Sequence, residues 1–368
     1  MSILIFILVI VALIVVHEFG HFVAAKLSGM RVDEFGLGYP PRALTLGKKG
    51  ETIYTLNWLP FGGFVKIHGE DGLKSGESPD PRAFSSKSRL AQAIVLVAGV
   101  AMNLLFAYVL ITGALVAGTP RALTEDEIPT AQDVQLAVAA VLPGSPAAGA
   151  GIVPGDAILA AEDGHYAYSG ADPAAFTAFV AEGKGNATIA LTVRHGDGKE
   201  ETVFARPLTG ISPSDPSRAV LGVEVATIGV VPLSFGAALV EGARLTWDAT
   251  VLTAEGLGQF FYGVLTFTAN LSQVSGPVGI AGAVGSASAQ GLGDLLAIMA
   301  IISINLAIIN LIPVPALDGG RLLFVIIESV IRRPIKPQIA QAMNAVGFIF
   351  LILLMVVVTA HDIFKLAS

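Results

Sequence analysis

The chain has 368 residues, 53% of them hydrophobic and only 14% charged, with a mean hydropathy of +0.71. Soluble domains average about 25% charged residues, so this composition excludes an ordinary soluble protein and predicts a membrane protein with polar parts attached. A net charge of −7 with no basic cluster argues against a nucleic-acid partner, and the absence of cysteine rules out disulfides and cysteine-ligated metal sites.

The first predicted element, within residues 1–30, is a membrane span from Ile3 to about Leu27. It carries His17-Glu18-Phe19-Gly20-His21 at the end of the uninterrupted apolar run Ile3–Val16. Two histidines four apart share one helix face and are spaced to grip a single zinc ion, with the glutamate between them placed as a general base. Ionisable groups inside a span are costly and mark a functional site. A cleaved signal peptide is the competing reading of this segment. It lacks a positive n-region, however, and cleavage near Ala24-Ala25 would discard the motif.

Residues 31–88 read as a Gly- and Pro-rich insertion pressed against the membrane, ending in the polar run Gly69–Ser88. Thr52–Leu56 and Phe61–Ile67 have strand character on either side of a turn at Pro60, and Phe35–Pro40 is apolar chain that permits close backbone approach. A second span follows at 89–118. Residues 125–226 then form a polar domain. It has a strand at Leu136–Val141, the turn Pro143–Pro146, the run Val153–Leu159, a helix near Pro173–Ala181 and a hairpin, Thr188–Arg194 with Glu201–Ala205, around Gly196-Asp197-Gly198. Gly144-Ser145-Pro146-Ala147-Ala148 followed by Pro154-Gly155-Asp156-Ala157-Ile158-Leu159 resembles a bacterial PDZ domain, which implies capture of extended chain ends by strand addition. Asp163, His165 and His195 fall in its loops and read as solvated surface.

Residues 227–294 read as a linker with interfacial helices, because Val230–Val240 is too short and Gly-rich to span. A third span, 295–333, is interrupted at Asn310–Gly320, and a fourth occupies 343–362. The fold class is thus a multi-pass α-helical membrane protein of about four transmembrane helices, with a membrane-associated β insertion and one extracytoplasmic PDZ-like α+β domain.

Lys26 and Arg31 follow the first span and no basic residue precedes it. The basic loop Arg332-Arg333-Pro334-Ile335-Lys336 joins the last two spans. Both place the connections after spans one and three in the cytoplasm and both termini outside. At about 1.5 Å per residue, His17 then lies roughly 21 Å from the outer boundary of a hydrocarbon core of about 30 Å. A catalytic zinc needs a third protein ligand. Asp318 shares the depth of His17, in a segment where Pro313 and Pro315 force irregular backbone, which lipid tolerates only around a polar cavity. Asp294 is a weaker candidate. Of the other histidines, His68 lies in the cytoplasmic-side insertion, and His165, His195 and His361 lie on the outside.

HEFGH in the first span and Asn310-Leu311-Ile312-Pro313-Val314-Pro315-Ala316-Leu317-Asp318-Gly319-Gly320 in the third resemble the site-2 protease family of intramembrane zinc metalloproteases. The PDZ-like insertion is similar to the bacterial regulator-of-sigma-E branch of that family. Phe61–Lys66, Gly69-Glu70, Gly276–Ile280 and His361-Asp362-Ile363 resemble further family signatures. The resemblance implies zinc held by His17, His21 and Asp318, with Glu18 as catalytic base. It also implies substrate contacts at Asn310 and Pro313 and at Gly36, Leu37 and Gly38, which match a membrane-reentrant β-loop. Substrates would be single-span membrane proteins such as anti-sigma factors, or remnant signal peptides, cut in regulated intramembrane proteolysis. The setting would be the lipid bilayer of a bacterial inner membrane, with the PDZ domain periplasmic and binding peptide ends. Two departures stand out: a single PDZ-like domain, and Arg321 after LDGG where many members have His. Two other readings stay open. One is a non-catalytic PDZ-bearing receptor or tether; the other is a zinc protease of soluble substrates with Glu255 as third ligand.

Overall fold

The computed structural model describes residues 2–70, 80–182, 188–196, 198–211, 217–231, 233–266, 268, 274–333, 335 and 337–367. Residues 71–79 of the polar run 69–88, Asp197 of the expected hairpin turn, and Pro334 and Lys336 of the basic loop lie outside these residues. Among the described residues, four helices are long and apolar enough to cross a membrane: Ile3–Leu27, Arg89–Ala117, Leu292–Leu311 and Gln338–Phe364. The chain divides into two compact units. One comprises Met1–Gly113, Leu239–Ser288 and Leu295–Ser368; the other comprises Ala114–Ala238 and Ala289–Asp294.

The first unit opens with α1 (Ser2–Leu27), apolar around its whole circumference up to the histidines, as a lipid-facing helix requires. Two long strands follow, β1 (Val32–Lys49) and β2 (Thr52–Ile67). Both bend sharply, with repeated register shifts, so that Glu34–Leu37 is flanked by Ile53–Leu56 on one side and by Gly63–Lys66 on the other. The sequence reading of two short strands with a turn at Pro60 is corrected here: β2 is continuous, and β1 takes in Phe35–Pro40. The cause is non-local. The central segment of β1 pairs with both halves of β2, which satisfies backbone groups that neither half satisfies alone. Ala25, Met30, Val32, Ile67, Phe84, Val95, Leu96 and Val325 bury one another and fasten this sheet to the helices. Those helices include α2 (Arg89–Ala117), where buried Gln92 donates through Nε2 to the carbonyls of Phe84 and Lys87 at 3.0 Å.

The second unit contains β3 (Arg121–Ala122), β4 (Gln132–Val141), α3 (Pro146–Gly149), β5 (Ala157–Glu162), β6 (Ala167–Tyr168), α4 (Pro173–Glu182), β7 (Ile189–Arg194), β8 (Glu200–Ala205) and β9 (Val223–Val230). They form one sheet in the order β3-β9-β4-β5-β7-β8, with β6 paired to β5. Alternate residues of β7, Ile189, Leu191 and Val193, are buried with Leu136, Val138, Ile158, Phe176 and Leu221 in a single core. Ser145 caps α3 through Ala148 N–H, 3.3 Å, and the buried carboxylate of Asp156 accepts from Val153 N–H at 2.9 Å and meets His195 Nδ1 at 2.9 Å. The Gly-Ser-Pro and Pro-Gly-Asp turns are thus closed by their own polar side chains. Strand β9 runs past residue 226, where the sequence reading ends the domain, and pairs with β4 along most of its length.

Val230 is the last residue of β9, and Phe235 opens α5 (Phe235–Thr266), a 32-residue helix. The remaining helices are α6 (Pro277–Gln290), α7 (Leu292–Leu311), α8 (Asp318–Ile331) and α9 (Pro337–Ala367). Within the first unit, Val9, Leu13 and Val284 pack α1 against α6, and Ala107, Leu110, Ala300 and Ile304 pack α2 against α7. Asp362 of α9 accepts from Gly279 N–H at the start of α6, 2.8 Å, placing a carboxylate on exposed helix-end donors.

Phe176 is 2% exposed, its ring edge-on to Tyr168 at 5.4 Å between centroids. Phe176→Ala should destabilise the second unit by about 3–5 kcal/mol. Proteolysis across a denaturant series should then cut 114–238 at lower denaturant than in wild type; an unchanged profile would show that this ring does not anchor the core.

Candidate metal centre

A four-residue step on α1 brings His17 and His21 to one face, their rings edge-on with centroids 4.8 Å apart. The third group comes from far along the chain. Prolines 313 and 315 end α7 at Leu311 and hold 312–317 irregular, with Ala316 in the left-handed region at φ 81°; α8 then begins at Asp318. Asp318 Oδ2 stands 2.9 Å from His17 Nε2 and 3.1 Å from His21 Nε2, and the two Nε2 atoms are 3.2 Å apart. The histidine side chains are 7% and 9% exposed and Asp318 is 19% exposed.

This donor set fits a zinc ion. In a tetrahedral site with bonds of about 2.0–2.1 Å, neighbouring ligand atoms lie roughly 3.3 Å apart, close to the triangle present here. His21 Nδ1 faces Val95 O at 2.8 Å, and a carbonyl there takes a proton on Nδ1. That leaves Nε2 a lone pair aimed at a carboxylate oxygen, an opposition that a cation between them relieves. Among the described residues, His17, His21 and Asp318 are the group of histidines and carboxylates close enough to share a metal.

Glu18 is held next to them. Its Oε2 accepts from Val65 N–H of β2 at 3.1 Å, so one backbone donor fixes the carboxylate beside the cluster. Space for the rings comes from α2. A Cβ on Gly99 would sit 2.4 Å from His21 Nε2 and 2.7 Å from His17 Cε1, so only glycine fits there. Gly319 plays the matching part after Asp318, where a Cβ would strike the carbonyl oxygens of Leu311 and Ile312 at 2.3 and 2.4 Å. The second glycine motif therefore tightens the chain reversal that delivers the aspartate.

The other residues singled out in the sequence are placed as follows. Asn310 lies in the last turn of α7 and Pro313 in the break, the first half-buried and the second exposed. Gly36, Leu37 and Gly38 lie in β1; Gly36 and Leu37 are flanked on both sides by β2, and Gly38 O accepts from Asn57 Nδ2 at 2.9 Å. His68 pairs with Asp33 at 3.2 Å, His195 with Asp156, and His165 lies in an exposed turn. Glu255 is exposed on α5 and Asp294 lies in the first turn of α7; neither belongs to the cluster. Arg321 Nη1 reaches Glu70 Oε1 at 2.6 Å. Gly99 and Asn103, which lies 3.2 Å from His17 Nδ1, were not recognised in the sequence. Their signal was there: a glycine and an amide four residues apart in the otherwise apolar run Ala93–Ala107.

Residues 5–354 match the model of peptidase family M50. A protein of Clostridium perfringens named as a candidate zinc metalloprotease is 35% identical over 353 residues, covering 96% of this chain and 95% of the relative. One of the same description from a Nostoc species is 34% identical over 355 residues, covering 96% and 93%. The zinc metalloprotease RasP of Oceanobacillus iheyensis is 28% identical over 445 residues, covering 98% of each chain.

Because a Cβ at Gly99 overlaps both rings, Gly99→Ala should weaken zinc binding at least tenfold without loss of helix content. Chelator competition and far-ultraviolet dichroism on the purified protein test this; unchanged zinc affinity would show that the rings have room to move.

Proposed function

We propose, because the chain belongs to peptidase family M50 and is a zinc metalloprotease, that it is an intramembrane endopeptidase cutting the transmembrane segments of single-span substrates. The observation that carries this reading is the meeting of His17, His21 and Asp318 beside Glu18 on a helix whose mean hydropathy is 2.8. An active site built on such a helix serves substrates that are themselves in the bilayer. Membrane-anchored anti-sigma-like proteins and remnant signal peptides are the substrate classes of this proposal. Its setting is a bacterial inner membrane with both termini and the 114–238 unit outside.

His17, His21 and Asp318 would hold the zinc. Zinc there supplies the Lewis acid that polarises a peptide carbonyl and acidifies water. Glu18, fixed by Val65 N–H, takes the proton of the attacking water and passes it to the leaving amine. A substrate helix shields its own peptide bonds and must unwind first. The unwound strand cannot add to Gly36-Leu37, which have β2 on both sides, so we assign strand addition to the outer segment Gly63–Ile67 of β2, which touches Glu18 through Val65. Gly36, Leu37 and Gly38 then act by holding that segment in register, and Asn310 and Pro313 contact substrate across the break.

We read the 114–238 unit as a PDZ-like domain that screens chain ends. Support comes from its sheet order and from the outer edge of β9. Gly229 and Ile228 pair with β3 and Thr227 O accepts from Leu123 N–H, whereas Val223–Ala226 pair through β4 on the inner side.

Glu18→Gln should keep zinc and lose cleavage by about 100-fold or more. Cleavage at the wild-type rate would sink the catalytic assignment. Asp318→Asn should lower both zinc content and turnover, and equal zinc in purified mutant and wild type would count against the ligand. Membranes holding the Glu18→Gln protein should accumulate single-span fragments that wild-type membranes clear.

A further inference from the structure

Asn103 is fully buried in α2, an amide set in a span where an unpartnered polar group is expensive. Its own backbone carbonyl accepts from Ser303 Oγ at 2.8 Å, which fastens this turn of α2 to α7. Its side-chain nitrogen lies 3.2 Å from His17 Nδ1, while Oδ1 is buried with no hydrogen-bond partner. That orientation makes the amide a donor to His17 Nδ1 and so places the ring proton on Nε2. Nε2 is the atom that faces Asp318 Oδ2 and His21 Nε2. A histidine whose Nε2 carries a proton cannot bind a metal through that atom.

The two ends of an asparagine amide have nearly the same shape, and which end points where follows from the hydrogen-bond network. Turned by 180°, Asn103 offers Oδ1 to an Nδ1–H of His17 and frees the Nε2 lone pair. The oxygen gives up nothing, because its present position offers no donor. We infer that Asn103 is the positioning residue of the metal site: it accepts the Nδ1 proton of His17 and so fixes the tautomer and ring plane that bind zinc. It does for His17 what Val95 O does for His21 at 2.8 Å. Each ligand histidine thus has its outer nitrogen fixed by α2, one by a main-chain carbonyl and one by a side-chain amide. This rests on the zinc assignment of the preceding subsection and adds to it the direction of one hydrogen bond.

The direction is testable because aspartate has nearly the shape of asparagine and, when ionised, can only accept. An amide that donates is not replaced by aspartate; one that accepts is. Zinc dissociation constants measured by chelator competition on the purified full chain separate the cases. Asn103→Leu should weaken zinc binding about 10–100-fold, and Asn103→Asp should stay within about threefold of wild type. Unchanged affinity in Asn103→Leu would overturn the inference, and so would an Asn103→Asp protein that folds yet loses zinc tenfold or more. If Asn103→Leu fails to fold, Asn103→Asp alone decides between acceptor and donor. The visible spectrum of the cobalt-substituted protein gives a second reading. It should keep wild-type band positions in Asn103→Asp and shift or lose intensity in Asn103→Leu; identical bands in all three proteins would overturn the proposal. Failure of wild type itself to bind zinc would instead remove the ligand assignment on which this inference rests.

Discussion

Two imidazoles and one carboxylate meet in a space where each is almost cut off from water, and most of the surrounding structure exists to make that meeting tolerable. Buried ionisable groups are stable only when paired or metal-bound, because each alone carries an unrecovered desolvation penalty. A cation among His17, His21 and Asp318 turns three costs into one site. The same constraint governs the atoms behind them. His21 Nδ1 is satisfied by Val95 O, Glu18 by Val65 N–H and His17 Nδ1 by Asn103, so each of these polar atoms has a partner on α2 or β2.

Those partners set demands on packing that apolar residues alone do not explain. Helix α2 must come close enough for Val95 O to reach an imidazole, and Gly99 provides the missing side chain at that point of approach. The sheet must reach across α1 to deliver the Val65 donor, which calls for strands that bend rather than a flat hairpin. Helix α7 must stop short and α8 begin at the aspartate, which the prolines and the paired glycines enforce. The site is therefore a constraint on four elements at once, and its geometry sets where each may lie.

This explains which parts were legible in the sequence. His17, Glu18 and His21 announce themselves by local spacing. Asp318 could be matched to them because the orientation expected from charge asymmetry, with span length, gives an expected depth, so two remote segments could be compared by one coordinate. The turns of the second unit were legible because Ser145 and Asp156 close them locally. The β region was read only in fragments, since the pairing of Glu34–Leu37 with both halves of β2 reaches as far as Glu34 with Lys66 in a chain where Gly and Pro mimic turns. Strand β9 was cut short at 226 for a similar reason. Its apolar run merges into the opening of α5 with no change of composition to mark the boundary. Asn103 and Gly99 have no pattern of their own and acquire meaning only when α2 is placed against α1.

The departure at Arg321 finds its sense in the same terms. Helix α8 carries Asp318 at its start, Arg321 one turn later and Glu328 further on, and each is tied to a different element. Asp318 faces the histidines of α1, Arg321 meets Glu70 just beyond β2, and Glu328 meets Arg89 at the start of α2. These pairs are partly buried, with Glu70 and Glu328 side chains 17% and 15% exposed. Breaking one leaves a charge with little water to replace its partner. An apolar helix slides along an apolar groove at small cost, but a slip of one turn, about 5.4 Å, would separate all three charged contacts together. Arginine at 321 therefore bears on the candidate metal site at a distance. It contributes no ligand, yet with Glu328 it fixes the axial position of the helix whose first residue is the aspartate.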